Sequence, residues 1–134
     1  TRDRLGGRFR RDAYQQASSV KRLVVVDSSV WIDYLRDLPT RAAEMLDRLI
    51  GTDRLATADL VMFEVLQGVR DERRFQLTQE RLSRGALLTV CDQQVILQAA
   101  RNHRHLRGLG ITVRKTIDTL IATRCILDDM PLLY

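Results

Sequence analysis

Leu23-Val24-Val25-Val26-Asp27-Ser28-Ser29 decides the fold of this 134-residue chain. A continuous β-branched run marks a strand buried on both faces, as in a parallel sheet. It ends in Asp27-Ser28-Ser29, whose side-chain oxygens suit the cap of a helix over residues 30–36. Ligands of open parallel sheets bind outside the carboxyl ends of the strands, so a carboxylate just past this strand is also a candidate ligand group. For Asp27 taken alone, helix cap and site residue stand side by side.

Outward from there, strands and helices alternate. Pro39-Thr40 opens a second helix with Ala43, Leu46, Leu49 and Ile50 at helical spacing and Gly51 as its stop. Residues 54–57 read as a short strand, and Asp59 as the cap of a helix carrying Leu60, Phe63, Val65, Leu66 and Val69. A polar helix over 75–84 is expected to bury Leu77 and Leu82, and 86–90 to form a third strand. Asp92 then caps a longer helix through Val95, Ile96, Ala99, Ala100 and Leu106, closed by Gly108 and Gly110. After an extended connection at 111–113, Thr116 is expected to cap a helix over 117–127, and 130–134 to start a fourth strand. This alternation predicts βαβ units, and hence an α/β three-layer sandwich around a central parallel sheet.

Composition excludes several classes. At 45% hydrophobic and 29% charged the chain reads as a globular domain, not a disordered or disulfide-framed one. Apolar runs reach about four residues, far short of the ~18 that span a bilayer, and no secretory signal opens the chain, so no membrane role and a cytoplasmic location are expected. Cys91 and Cys125 form no CxxC pair and are expected to be core thiols. The net charge of +5 is local. Residues 1–22 hold seven Arg or Lys against Asp3 and Asp12, whereas residues 23–134 hold fifteen of each sign. We therefore expect residues 1–21 to be a basic arm, or a tag or fusion remnant, ahead of a single domain over 22–134.

Two further acids stand out. Glu64 lies in Val61-Met62-Phe63-Glu64-Val65-Leu66, where burial of an unpaired carboxylate costs several kcal/mol unless an arginine or a cation compensates. Asp118 occupies the first turn of the last helix, where the helix dipole alone would favour it. Each of Asp27, Glu64 and Asp118 starts or lines a helix that follows a strand, so all three could converge on one sheet edge. Gathered without a cation they would repel, and a divalent ion removes the conflict. All-oxygen ligation suits Mg²⁺ or Mn²⁺ and, through an acidified water, phosphodiester hydrolysis.

Taken in order, Val26-Asp27-Ser28-Ser29-Val30-Trp31-Ile32-Asp33-Tyr34-Leu35, Glu64-Val65-Leu66-Gln67-Gly68 and Thr116-Ile117-Asp118-Thr119-Leu120-Ile121-Ala122 resemble the three signatures of a PIN domain, above all those of VapC-type toxins. The resemblance covers residues 22–134. It implies a PIN-like fold and an Mg²⁺- or Mn²⁺-dependent endoribonuclease that hydrolyses RNA with a metal-activated water. It also implies control by a cognate antitoxin, which alone contacts operator DNA. Asp27, Glu64 and Asp118 match the family's acidic metal-binding positions, and Ser28 its small polar companion. The family usually carries a fourth acid after an apolar pair like Leu132-Leu133. The sequence ends at Tyr134, before that position, so the last strand is expected to be short and the site to lack this acid.

Arg114 and Lys115, just ahead of Asp118, are candidates for substrate phosphate, with plain surface charge as the alternative. Apolar residues on the second and third helices point to a homodimer. A different class also fits: a non-catalytic PIN-like module acting through its antitoxin. A phospho-accepting receiver fits poorly, because Cys91-Asp92 follows the third strand and no Lys follows the fourth.

Overall fold

The structure, a computed structural model, describes residues 22–113 and 115–134. In chain order its elements are β1 (Val24–Val26), α1 (Ser28–Leu35), α2 (Arg41–Leu49), β2 (Leu55–Ala58), α3 (Asp59–Leu66), α4 (Glu72–Leu82), β3 (Ala86–Leu88), α5 (Gln93–Gly108), α6 (Thr116–Leu127) and β4 (Leu132–Leu133). The four strands form one all-parallel sheet in the order β3-β2-β1-β4. This is the expected α/β class with a central parallel sheet, and the expected short fourth strand has two residues.

The chain divides into two compact units. One is Leu23–Thr89 with Pro131–Tyr134, and the other comprises Val90–Met130 with, among the described residues, Arg22. The first unit holds the whole sheet. Within it β1 is flanked on both sides, with Val25 opposite Ala56 and Leu132. Val25 and Val26 are consequently fully buried, as a β-branched run between two parallel neighbours requires. Trp31, Leu46, Leu55, Val61 and Leu82 complete this core from α1, α2, β2, α3 and α4. At Gly85, ahead of β3, an added Cβ would lie 2.8 Å from both Cγ and the carbonyl oxygen of Leu55, so only glycine lets the two strands approach.

The second unit pairs α5 with α6 around Val95, Ala99, Ile121 and Cys125. Arg124 reaches Asp92 Oδ2 through Nη1 at 2.9 Å and stands 2.7 Å from Asp128 Oδ2 through Nε, the second approach lying outside hydrogen-bond geometry. Asp129 pairs with Arg22 at 3.0 Å. No helix among the described residues is long and apolar enough to cross a membrane.

The caps hold in part. Asp27, Thr40 and Asp92 each accept a backbone N–H at the start of α1, α2 and α5. Asp59 and Thr116 do not cap: each is the first residue of its helix, after Ala58 and Lys115. Leu77, expected inside, is 52% exposed, because α4 turns Thr78 and Leu82 inward instead. Cys91 is exposed as well, so only Cys125 is a core thiol. The proposed basic arm, residues 1–21, lies outside the described residues.

Candidate active site

Strand order locates the first acid. The chain winds from β1 through β2 to β3 on one side and returns on the other as β4, so the sheet's topological switch point lies at the carboxyl end of β1 beside β4. Asp27 occupies that point. Its N–H donates to the Leu133 carbonyl at 2.8 Å, and its own carbonyl accepts from Val30 N at 3.1 Å. Its Oδ2 accepts from Ser29 Oγ at 2.6 Å and Ser29 N at 3.3 Å. The cap reading of Asp27 is observed in Oδ2, and Oδ1 is left without a hydrogen-bond partner among the described residues. Ser29 orients this carboxylate, while Ser28, the companion the resemblance implies, is buried at the first turn of α1.

Glu64 lies in the last turn of α3. Val61 and Val65 of that helix are buried while Phe63 is 59% exposed, so the helix has a solvent face that its apolar sequence conceals. Glu64 is half-buried, and its Oε1 is fully enclosed with no hydrogen-bond partner. No arginine clasps it among the described residues. An enclosed, unpartnered carboxylate oxygen costs roughly 1–3 kcal/mol, and a cation is the group that removes this cost. Glu64 borders a groove of about 610 Å³ between α1, α3 and α4, whose lining includes four arginines.

Nearby on α1, Trp31 packs edge-on against Tyr34, with ring centroids 6.1 Å apart, so it serves the core as expected. The Tyr34 hydroxyl donates to Asp47 Oδ1 at 3.2 Å. Burial first, and then the Asp47 acceptor and charge, push the Tyr34 phenol above 10.0 against the opposing Arg81 and Arg84.

In the α5/α6 unit, Asp118 is exposed in the first turn of α6 and borders a cavity of about 600 Å³ with Asn102, His105 and Thr123. Lys115 is exposed at the cap position, and Arg114 lies outside the described residues. Burial, then Asp128, push the Cys125 thiol up to about 11 against the opposing Arg124.

Asp27 and Glu64 thus belong to the sheet unit and Asp118 to the other. Among the described residues no group of three or more His, Cys, Asp or Glu stands close enough to hold a metal ion. The donor chemistry nevertheless fits a hard divalent cation: carboxylate oxygens only, one of them enclosed and unpartnered on Glu64. Sequence reasoning missed Ser29 and the groove arginines. Arg70, Arg74, Leu77 and Arg81 follow a spacing of three and four, a helical stripe legible in the sequence once its face is known.

Comparison with known proteins gives the family. The sequence model of the PIN domain family matches residues 24–134. The chain is 32% identical over 107 residues to VapC ribonuclease Mb1587 of Mycobacterium bovis, covering 78% of this chain and 79% of that protein. Ribonuclease VapC11 of Mycobacterium tuberculosis matches to the same extent. Among solved structures, VapBC2 from Rickettsia felis bound to a promoter DNA fragment aligns with a TM-score of 0.67 at 17% identity, over 82% of this chain and 84% of that one. DNA-bound VapBC from Salmonella typhimurium aligns with a TM-score of 0.66 at 18% identity, over 81% and 83%.

Proposed function

The chain belongs to the PIN domain family, and from that premise we propose that it is the toxin endoribonuclease of a toxin–antitoxin pair, dependent on Mg²⁺ or Mn²⁺. The observation that carries the site is the enclosed, unpartnered Oε1 of Glu64 beside a groove open to substrate. Asp27, Glu64 and Asp118 are the residues that would hold the ion. When bound, a divalent cation supplies an acidified water and neutralises charge developing on the phosphodiester. Ser29 fixes the Asp27 carboxylate by spending one of its oxygens, so the other stays oriented at the switch point. Arg114 and Lys115, four and three positions ahead of Asp118 in the sequence, are assigned to substrate phosphate.

A cognate antitoxin is the protein partner, operator DNA is reached only through it, and the toxin acts in the cytoplasm as a homodimer. Exposed Met45 on α2 and Phe63 on α3 support an apolar surface for pairing.

The test incubates the full chain with a structured RNA in Mn²⁺ or in EDTA. Expected is cleavage in Mn²⁺ alone that leaves 5′-phosphate and 3′-hydroxyl ends and disappears in Asp27→Asn and Asp118→Asn. Cleavage that survives EDTA and Asp27→Asn overturns the mechanism. A chain that takes up no Mn²⁺ at millimolar concentration by calorimetry and leaves RNA intact is the non-catalytic binding module instead.

A further inference from the structure

The groove beside Glu64 is built from one compact unit and is net positive, four arginines against Glu64 and Asp71. The C-cap of α1 contributes Arg36, the α3–α4 connection Arg70, and α4 Arg74 and Arg81. Three of these four, Arg36, Arg70 and Arg81, form no ion pair among the described residues, while Arg74 is loosely held by Asp71 at 3.5 Å. Arginines without an ion pair are not confined to the groove, since Arg41, Arg48, Arg73, Arg101, Arg104 and Arg107 also form none among the described residues; what marks this site is that four arginines line one concavity. Arg22, Arg84 and Arg124 each meet a carboxylate within 4 Å, as expected where fifteen basic and fifteen acidic residues share a neutral body. Keeping three guanidinium groups unpaired around one concavity is a cost in self-repulsion unless an anion enters.

The geometry of α4 orders these charges. Arg74 and Arg81 are two turns apart on one helix face, about 10 Å along the axis. Between them Leu77 is 52% exposed, and it shares the groove floor with Ile32 and Val65. Positive forks at intervals with apolar surface between them match a single strand of nucleic acid, whose phosphates repeat along the backbone and whose bases have apolar faces.

We propose that this groove is the track along which the single-stranded substrate RNA runs, with Arg36, Arg70 and Arg81 as its phosphate contacts and Arg74 as an auxiliary. The inference rests on the nuclease reading in one respect only: Glu64, at the groove wall, is where the scissile phosphate must arrive. An acidic segment of a protein partner is the competing occupant. RNA is favoured because it brings both negative charge and a planar apolar face at every nucleotide, matching guanidinium groups interleaved with exposed Leu77.

The experiment measures binding of a fluorescent single-stranded oligoribonucleotide to the full chain in EDTA, where the RNA stays intact, across a salt series. Each phosphate contact contributes about −0.7 to the slope of log K against log salt for a single strand, and about fivefold in affinity at 0.1 M salt. Wild type is expected near a slope of −3. The triple variant Arg36→Gln, Arg70→Gln, Arg81→Gln should flatten it by about 2 and weaken binding roughly 100-fold at 0.1 M salt. Each single variant should account for about a third of the change, and the exposed Arg101→Gln on α5 for none. The single variants change exposed side chains only, so they remain informative if the triple variant misfolds.

An unchanged slope overturns the proposal. So does a triple variant that keeps its RNA affinity while losing an acidic peptide probe, which assigns the groove to a protein. Wild type that binds with the expected slope yet never cuts RNA in Mn²⁺ refutes the nuclease reading and leaves the groove assignment standing.

Discussion

Replacing Glu64 with methionine should make the metal-free protein more stable and the metal-loaded protein less so. Oε1 of Glu64 is enclosed without a partner, and an orphaned buried acceptor costs roughly 1–3 kcal/mol. The residue as a whole is only half-buried, so the lower end applies, about 1 kcal/mol. Methionine keeps the length and flexibility of the side chain and places apolar surface beside buried Val65. For a domain of this length the gain corresponds to a melting temperature about 4 °C higher in EDTA.

Manganese should reverse the order. At a hundred times its dissociation constant a ligand that binds only the folded state adds about 2.7 kcal/mol, or roughly 10 °C here, to wild type. Glu64→Met, lacking the ligand oxygen, should gain almost none of it. Differential scanning fluorimetry in EDTA and in a Mn²⁺ series reads both effects. A variant that melts below wild type in EDTA refutes the orphaned-oxygen argument, and equal Mn²⁺ stabilisation of both proteins removes Glu64 from the metal set.

Two further predictions concern the framework. Gly85→Ala places a Cβ 2.8 Å from the Leu55 carbonyl oxygen in β2, where the obstacle is backbone, so the urea midpoint should fall by the equivalent of about 2 kcal/mol with m unchanged; an unshifted midpoint contradicts the close approach. Cys125 keeps its proton in the fold up to about 11, against 9.0 for a free thiol, so the stability it lends is complete below 9.0 and drains away as pH rises toward 11. Melting curves under reducing conditions at pH 8, 9.5 and 11 should therefore decline less steeply for Cys125→Ala, with a residual slope from Tyr34, whose phenol is also raised.

Local rules were readable where the partner is close along the chain. Asp27, Thr40 and Asp92 accept from an N–H two or three residues on, a contact that backbone geometry alone arranges. Val24-Val25-Val26 announced its place because a β-branched run without polar alternation has few homes other than a flanked parallel strand. Leu77 and Cys91 were misplaced for a different reason. Periodicity identifies an apolar stripe but not which of its members another element covers, and α4 rotates Thr78 inward in place of Leu77. Gly85 passed unnoticed because its constraint comes from Leu55, thirty positions earlier. At the candidate site the three acids were nameable from their helices and their order. The groove arginines were not, since their common orientation arises only when α1 and α4 face the same concavity.

The β1–β4 pairing has a consequence for the timing of synthesis. Asp27 leaves the ribosome well before Leu133, yet the carbonyl that fixes its amide belongs to that residue, 106 positions later. Strand pairing across so long a separation is the slowest part of such a topology to close. A nascent chain therefore carries Asp27 with its backbone amide unanchored until Leu133 has been made, so this corner of the candidate site closes only after the β1–β2–β3 side of the sheet can already pair.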